Sequence, residues 1–173
     1  MDAVGALREL WLGSAGRLAK RLHGLTDEEF FWEPAQPAWS VRPDPVAPSG
    51  WQIDYAFPPP VPAPITTIAW RLVHLAVVTN SYTDYAFGAA THDFDDDVIP
   101  GDPAGAIAWW QQTAETFANY LAKATDADLE APRTFPFNSY ATTLGSAVRI
   151  VVNETTHHGA EIGCLRDLLR VLP

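Results

Sequence analysis

The sequence predicts an all-α protein, a four-helix bundle with a long proline-rich connection between its first two helices. Three observations predict it. Four long stretches repeat apolar residues at alternating three and four spacing, the mark of an amphipathic helix. No stretch alternates strictly between apolar and polar residues, as a half-buried strand would. And 8 of the 15 prolines crowd into Pro43 to Pro64, between the first and second helical patterns.

The first pattern runs from Ala3 to Leu22, with Leu7, Leu10, Trp11, Leu18 and Leu22 at helical spacing. A short helix follows, because Thr26 and Glu29 make a capping box in which each side chain reaches the other's backbone N–H. The second long helix covers Ile65 to Phe87. The third opens at Asp102-Pro103, a good capping residue followed by proline at the first helical position. Ile107, Trp110, Ala114, Phe117, Leu121 and Ala124 then repeat through it. The fourth runs from Ala141 to Val171. In the connection, Pro58-Pro59-Pro60-Val61-Pro62 is expected to run as polyproline II. Trp51, Tyr55 and Phe57 are expected to pack this loop on the bundle and partly cover a pocket mouth.

At 173 residues the chain fits one domain, residues 1–173, with room for a good core. A formal charge of −10 argues against nucleic acid, whose binding rests on cationic contacts to phosphate, and against anionic membrane surfaces. No apolar run reaches the roughly 20 residues of a membrane span, and the N-terminus lacks the apolar segment of a signal peptide. Cytoplasm is the expected location. The single Cys164 can form no internal disulfide and is expected to serve in packing. His92-Asp93-Phe94-Asp95-Asp96-Asp97 lacks the glycine and terminal glutamate of an EF-hand loop and is expected to be solvated surface. No Walker loop, GxGxxG or G-x-S-x-G elbow is present.

The fourth helix carries the chemistry. Glu154 and His158, four apart, project from nearly the same side, together with Ala147, Ile150, Val151, Ile162, Leu165 and Leu168. A carboxylate and an imidazole inside an apolar stripe are costly to bury unless something satisfies them. A divalent metal would, given a third ligand, and the best candidate is His74 among the apolar residues of the second helix. Arg71, beside His74, is the rival partner for Glu154. His157 points off the Glu154 direction, toward a pocket rim or the surface. Glu161 faces inward, as a partner orienting a ligand imidazole or as a replacement ligand. Asn153 stands where the H-E-x-x-H zinc peptidase signature needs histidine, so that motif is broken.

Leu25-Thr26-Asp27-Glu28-Glu29, Trp32-Glu33-Pro34, Trp39-Ser40-Val41, Leu72-Val73-His74-Leu75 and Asn153 to Glu161 occur in this order. Together they resemble the DinB-like superfamily of metal-binding four-helix bundles, across the whole chain except the proline-rich insertion. Members usually hold a divalent metal with one histidine on the second helix and an H-x-x-x-H pair on the fourth. The resemblance implies His74, Glu154 and His158 as ligands, with Glu154 where histidine is usual. Two histidines and one carboxylate form a competent set for Zn(II) or non-haem Fe(II), and Ni or Mn are further candidates. Glutamate lowers the net charge of the site, so a metal-bound water becomes less acidic than with three histidines.

Relatives with known activities include transferases and isomerases that use low-molecular-weight thiols such as mycothiol and bacillithiol. The resemblance therefore implies a metal-dependent thiol S-transferase or isomerase acting on a small-molecule substrate. A metal-dependent hydrolase is the alternative, with His157 or Glu161 assisting proton transfer. A non-catalytic dimerising bundle is the third reading. Seven tryptophans and an apolar fraction near half exceed what one interior needs, which suggests a homodimer.

Overall fold

The computed structural model describes residues 2–172. It is mostly helical, with long helices α1 (Ala3–Leu22), α3 (Ile68–Phe87), α4 (Pro103–Leu121) and α6 (Leu144–Val171). Two short helices, α2 (Asp27–Phe31) and α5 (Asp126–Leu129), lie between them. Helix α3 packs on both α4 and α6, and α1 packs on α6 and α4 in turn.

The ends of these helices follow their capping chemistry. The Thr26–Glu29 capping box opens α2 as expected, and Asp102 accepts from the Gly105 N–H with Pro103 at the start of α4. The second and fourth long helices start three residues later than the periodicity suggests. Thr67 caps α3 and Thr143 caps α6, each hydroxyl accepting a backbone N–H, so the residues before them leave the helix.

The expectation of an all-α protein needs correction. Four short strands lie between α2 and α3: β1 (Ala38–Trp39), β2 (Val41–Pro43), β3 (Trp51–Ile53) and β4 (Ile65–Thr66). β1 pairs in parallel with β4, and β2 pairs antiparallel with β3, with Val41 opposite Ile53 and Pro43 opposite Trp51. Prolines exclude helix here but tolerate short edge pairings, and segments this short show no legible alternation.

Part of the connection packs as expected and part does not. Trp51 stacks on Phe31 at 5.8 Å, and Gly101 leaves room for its ring, which a Cβ would strike at 1.9 Å. Tyr55 leans on Trp39 but stays mostly exposed, and Phe57 is 85% exposed, against the expectation that it packs. Residues 58–64 form no strand or helix and remain on the surface.

The interior divides into two apolar clusters. One gathers Leu18, Leu22, Ile68, Leu72, Trp110, Ile162 and Leu165; the other gathers Trp11, Tyr82, Phe117, Leu121, Val148 and Val152. On α3, His74 stands among residues of the first cluster; on α6, Glu154 and His158 fall between Val152 of the second cluster and Ile162 of the first.

Candidate metal centre

Helices α3 and α6 bring three donors to one point. Glu154 Oε2 lies 3.3 Å from His74 Nε2 and 3.2 Å from His158 Nε2, and all three atoms fall within 4.8 Å of one another. A four-coordinate ion with bonds of about 2.0–2.2 Å spaces its ligands about 3.3 Å apart. Two of the three separations already match that spacing. The two imidazole planes cross at 87°, with centroids 5.0 Å apart, so both rings aim an edge at the carboxylate.

The surroundings hold these side chains in place. His158 Nδ1 donates to Glu161 Oε2 at 2.6 Å, and Arg71 donates to the same oxygen at 2.9 Å. Arg71 is itself fixed by Nε donating to Thr66 Oγ1 at 2.7 Å. Trp70 stacks on His74 at 4.6 Å and 14°, and its indole N–H donates to the Asp54 carbonyl at 2.7 Å. Asp54 in turn accepts from the Ser40 N–H and the Arg42 guanidinium. The strand-bearing connection thereby clamps the ring that covers His74.

The donor chemistry fits a cation. A neutral imidazole has one N–H. With His158 Nδ1–H committed to Glu161, its Nε2 lone pair faces the Glu154 carboxylate at 3.2 Å. Two acceptors at that distance require a positive charge between or beside them, either a second proton on the ring or a metal ion. His158 is buried, so bulk water does not relieve the contact. Burial away from water pushes the His74 pKa below the usual imidazole range, which keeps that ring neutral and able to ligate. The two imidazoles that flank it hold the Glu154 carboxyl well below the ordinary carboxylate range, so it is ionised at neutral pH. A neutral His74 and an ionised Glu154 are in the states that a metal needs.

Each sequence-predicted residue has a definite place. His74, Glu154 and His158 meet. Glu161 reaches the centre through His158 and not directly. His157 is half-exposed at the rim, its ring stacked on His158 at 4.6 Å and its Nε2 3.3 Å from Glu161 Oε1. Arg71 pairs with Glu161, so the rival pairing with Glu154 is not formed. Cys164 is exposed beside a groove between α1 and α6, against the expectation that it packs; its direction off the Glu154 side puts it outside the buried stripe.

The acidic loop also differs from expectation. Asp93, Asp95 and Asp96 are exposed, but Asp97 turns inward and lies 3.1 Å from His92 Nε2, both side chains nearly buried. Asp84 causes this by accepting the backbone N–H groups of Ala89, Thr91 and His92, which folds the loop back on α3. Sequence reasoning missed Trp70 as the lid on His74, although its i, i+4 spacing could have shown it. It missed Asp97 because loop geometry carries no periodic signal.

A cavity of about 530 Å³ opens beside His74 and Trp70 and extends to Tyr82 and Asp97. A larger groove, about 720 Å³, runs between α1 and α6 and includes none of the three donors. Of these two, only the first is lined by one of the three residues, His74.

A mostly helical chain with an inward His–Glu–His cluster on two of its long helices defines a candidate metal-binding protein. The model of the DinB superfamily matches residues 11–162, and the chain belongs to that superfamily. No curated protein and no solved structure matches it. Among the described residues no helix is long and apolar enough to cross a membrane.

Proposed function

We propose that this protein is a divalent-metal-dependent enzyme in which His74, Glu154 and His158 hold the ion, within a four-helix bundle of α1, α3, α4 and α6. The observation that carries this reading is the convergence of two imidazole nitrogens and one ionised carboxylate oxygen at ligand spacing. The ion, one of Zn, Ni, Fe or Mn, would supply Lewis acidity that lowers the pKa of a thiol or water bound to it. Glu161 orients the His158 ring, and Arg71 fixes Glu161. His157, half-exposed and 3.3 Å from Glu161, is placed to exchange protons between the site and solvent.

A thiol S-transferase or isomerase using a low-molecular-weight thiol is favoured over a hydrolase by the resemblance to thiol-dependent relatives. The substrate is a small molecule, since the cavity beside His74 is of the size of small-ligand sites. A cytoplasmic location and a homodimer complete the reading; light scattering at tens of micromolar would expose a monomer.

The test is metal analysis after incubation with Zn, Ni, Mn or Fe(II) and dialysis. About one ion per chain is expected in the wild type, none in His158→Ala, and retention in Glu154→His, which restores the ligand usual in the superfamily. Stoichiometric metal in His158→Ala, or none in the wild type, overturns the assignment. Turnover with a panel of thiols then separates transfer from hydrolysis.

A further inference from the structure

The cavity beside His74 has an uneven wall. Its His74 end is aromatic and apolar, with Trp70, Val77 and Ile53. Its far end carries two carboxylates, Asp95 and Asp97, among the rings of Tyr82, Phe94 and Phe137. No lysine or arginine lines it.

Asp97 is the informative group. Its side chain is only 7% exposed. Oδ1 is taken by His92 Nε2 at 3.1 Å, while Oδ2 is buried and has no hydrogen-bond partner. Buried carboxylate oxygens are normally satisfied, so an orphan at the wall of a cavity marks a missing donor. Burial also pushes the Asp97 pKa above the ordinary range, against the pull of His92. Ser81 is not that donor, because its one hydroxyl hydrogen goes to the Val77 carbonyl.

The aromatic rings around this end favour the same kind of partner. Phe137 stands edge-on to Tyr82 at 5.1 Å and near Phe94 at 5.3 Å, and such faces attract cations. A chain with a net charge of −10 raises the local concentration of cations and disfavours anions.

We propose that this cavity binds a small molecule with an apolar body and a protonated amine, the ammonium group meeting Asp97 and the body running toward His74. This names the substrate class of the proposed enzyme and rests on that reading for which end reacts. An anionic group at the Asp97 end would face two carboxylates with no lysine or arginine in the lining. A neutral hydroxyl would meet Asp97 Oδ2 with a weaker hydrogen bond than an ammonium makes.

Isothermal titration calorimetry on zinc-loaded protein at neutral pH tests this with three size-matched probes: 2-phenylethylamine, 2-phenylethanol and 3-phenylpropionate. The amine is expected to bind tenfold or more tighter than the alcohol, as befits a charged hydrogen bond in a dry site, and the acid weakest. Asp97→Asn is expected to remove the amine's advantage and leave alcohol affinity unchanged, which also shows that the fold survives. Equal affinities for the amine and the alcohol in the wild type overturn the proposal without recourse to any variant. An amine preference that persists in Asp97→Asn overturns it too. Zinc content is measured on the same samples. Amine preference in wild type that holds no zinc supports the cation site and overturns only the metal reading.

Discussion

Two histidine–carboxylate clusters sit on α3 and its neighbours, and they behave in opposite ways. At the first, Glu154 receives two imidazoles, and these hold its carboxyl far below the ordinary range despite partial burial. At the second, Asp97 receives only His92, and burial wins, pushing its carboxyl up. The residue types are the same. The number of flanking imidazoles decides which side of the balance prevails: two outweigh desolvation, and one does not. The first cluster is therefore an ionised, ligand-ready site. The second is a carboxylate short of a partner.

The largest expected effect sharpens this contrast by weakening support for the first cluster. Glu161→Gln removes the charge that holds His158 Nδ1–H and leaves Arg71 buried without its ion pair. Metal affinity should fall roughly 10–100-fold, measured by competition with a chromophoric chelator. An unchanged affinity would mean that His158 needs no orienting partner.

The second prediction compares the clusters through pH. The lowered pKa of Glu154 contributes stability present above its ordinary value and lost as pH falls below it. The raised pKa of Asp97 works the other way, because the folded state holds the proton longer and loses stability as pH rises through that range. Urea unfolding of metal-free protein between about pH 3 and about pH 5.5 reads both. Glu154→Gln should become more damaging relative to wild type as pH rises, reaching roughly 1–3 kcal/mol. Asp97→Asn should become less damaging over the same range. Parallel slopes would remove the distinction between the two clusters.

The smallest effect concerns the rim. His157→Ala should leave metal content unchanged, since its ring lies outside the His74, Glu154 and His158 group, stacked on His158 and beside Glu161. A fall in turnover with metal retained would place His157 in proton exchange. Loss of metal would instead promote it to a structural support of the centre.

How much of this was legible in the sequence depends on periodicity. Glu154 and His158 were found because the helix repeat puts residues four apart on one side, and His74 because it stands alone among apolar neighbours. Glu161 was correctly expected to face inward, yet its choice between ligand and orienting partner turned on Arg71, whose direction the spacing left open between two carboxylates. The starts of α3 and α6 slipped by three residues because apolar residues continue past Thr67 and Thr143. Asp97, the Asp84-folded loop and the strand pairs β1–β4 and β2–β3 were not legible at all, since their partners are set by turns and distant pairings.

The sequence by itself determined the four amphipathic helices, the capped starts of α2 and α4, and the face of α6 that Glu154 and His158 share. These are local properties, fixed by a 3.6-residue repeat and by side chains that bond their own backbone. Only the tertiary structure decided that Arg71 pairs with Glu161, that Trp70 is pinned by Asp54 over His74, and that Asp97 turns inward while its neighbours stay in water. Those outcomes depend on which surfaces meet and how many donors each buried carboxylate receives, and both are properties of the packed chain.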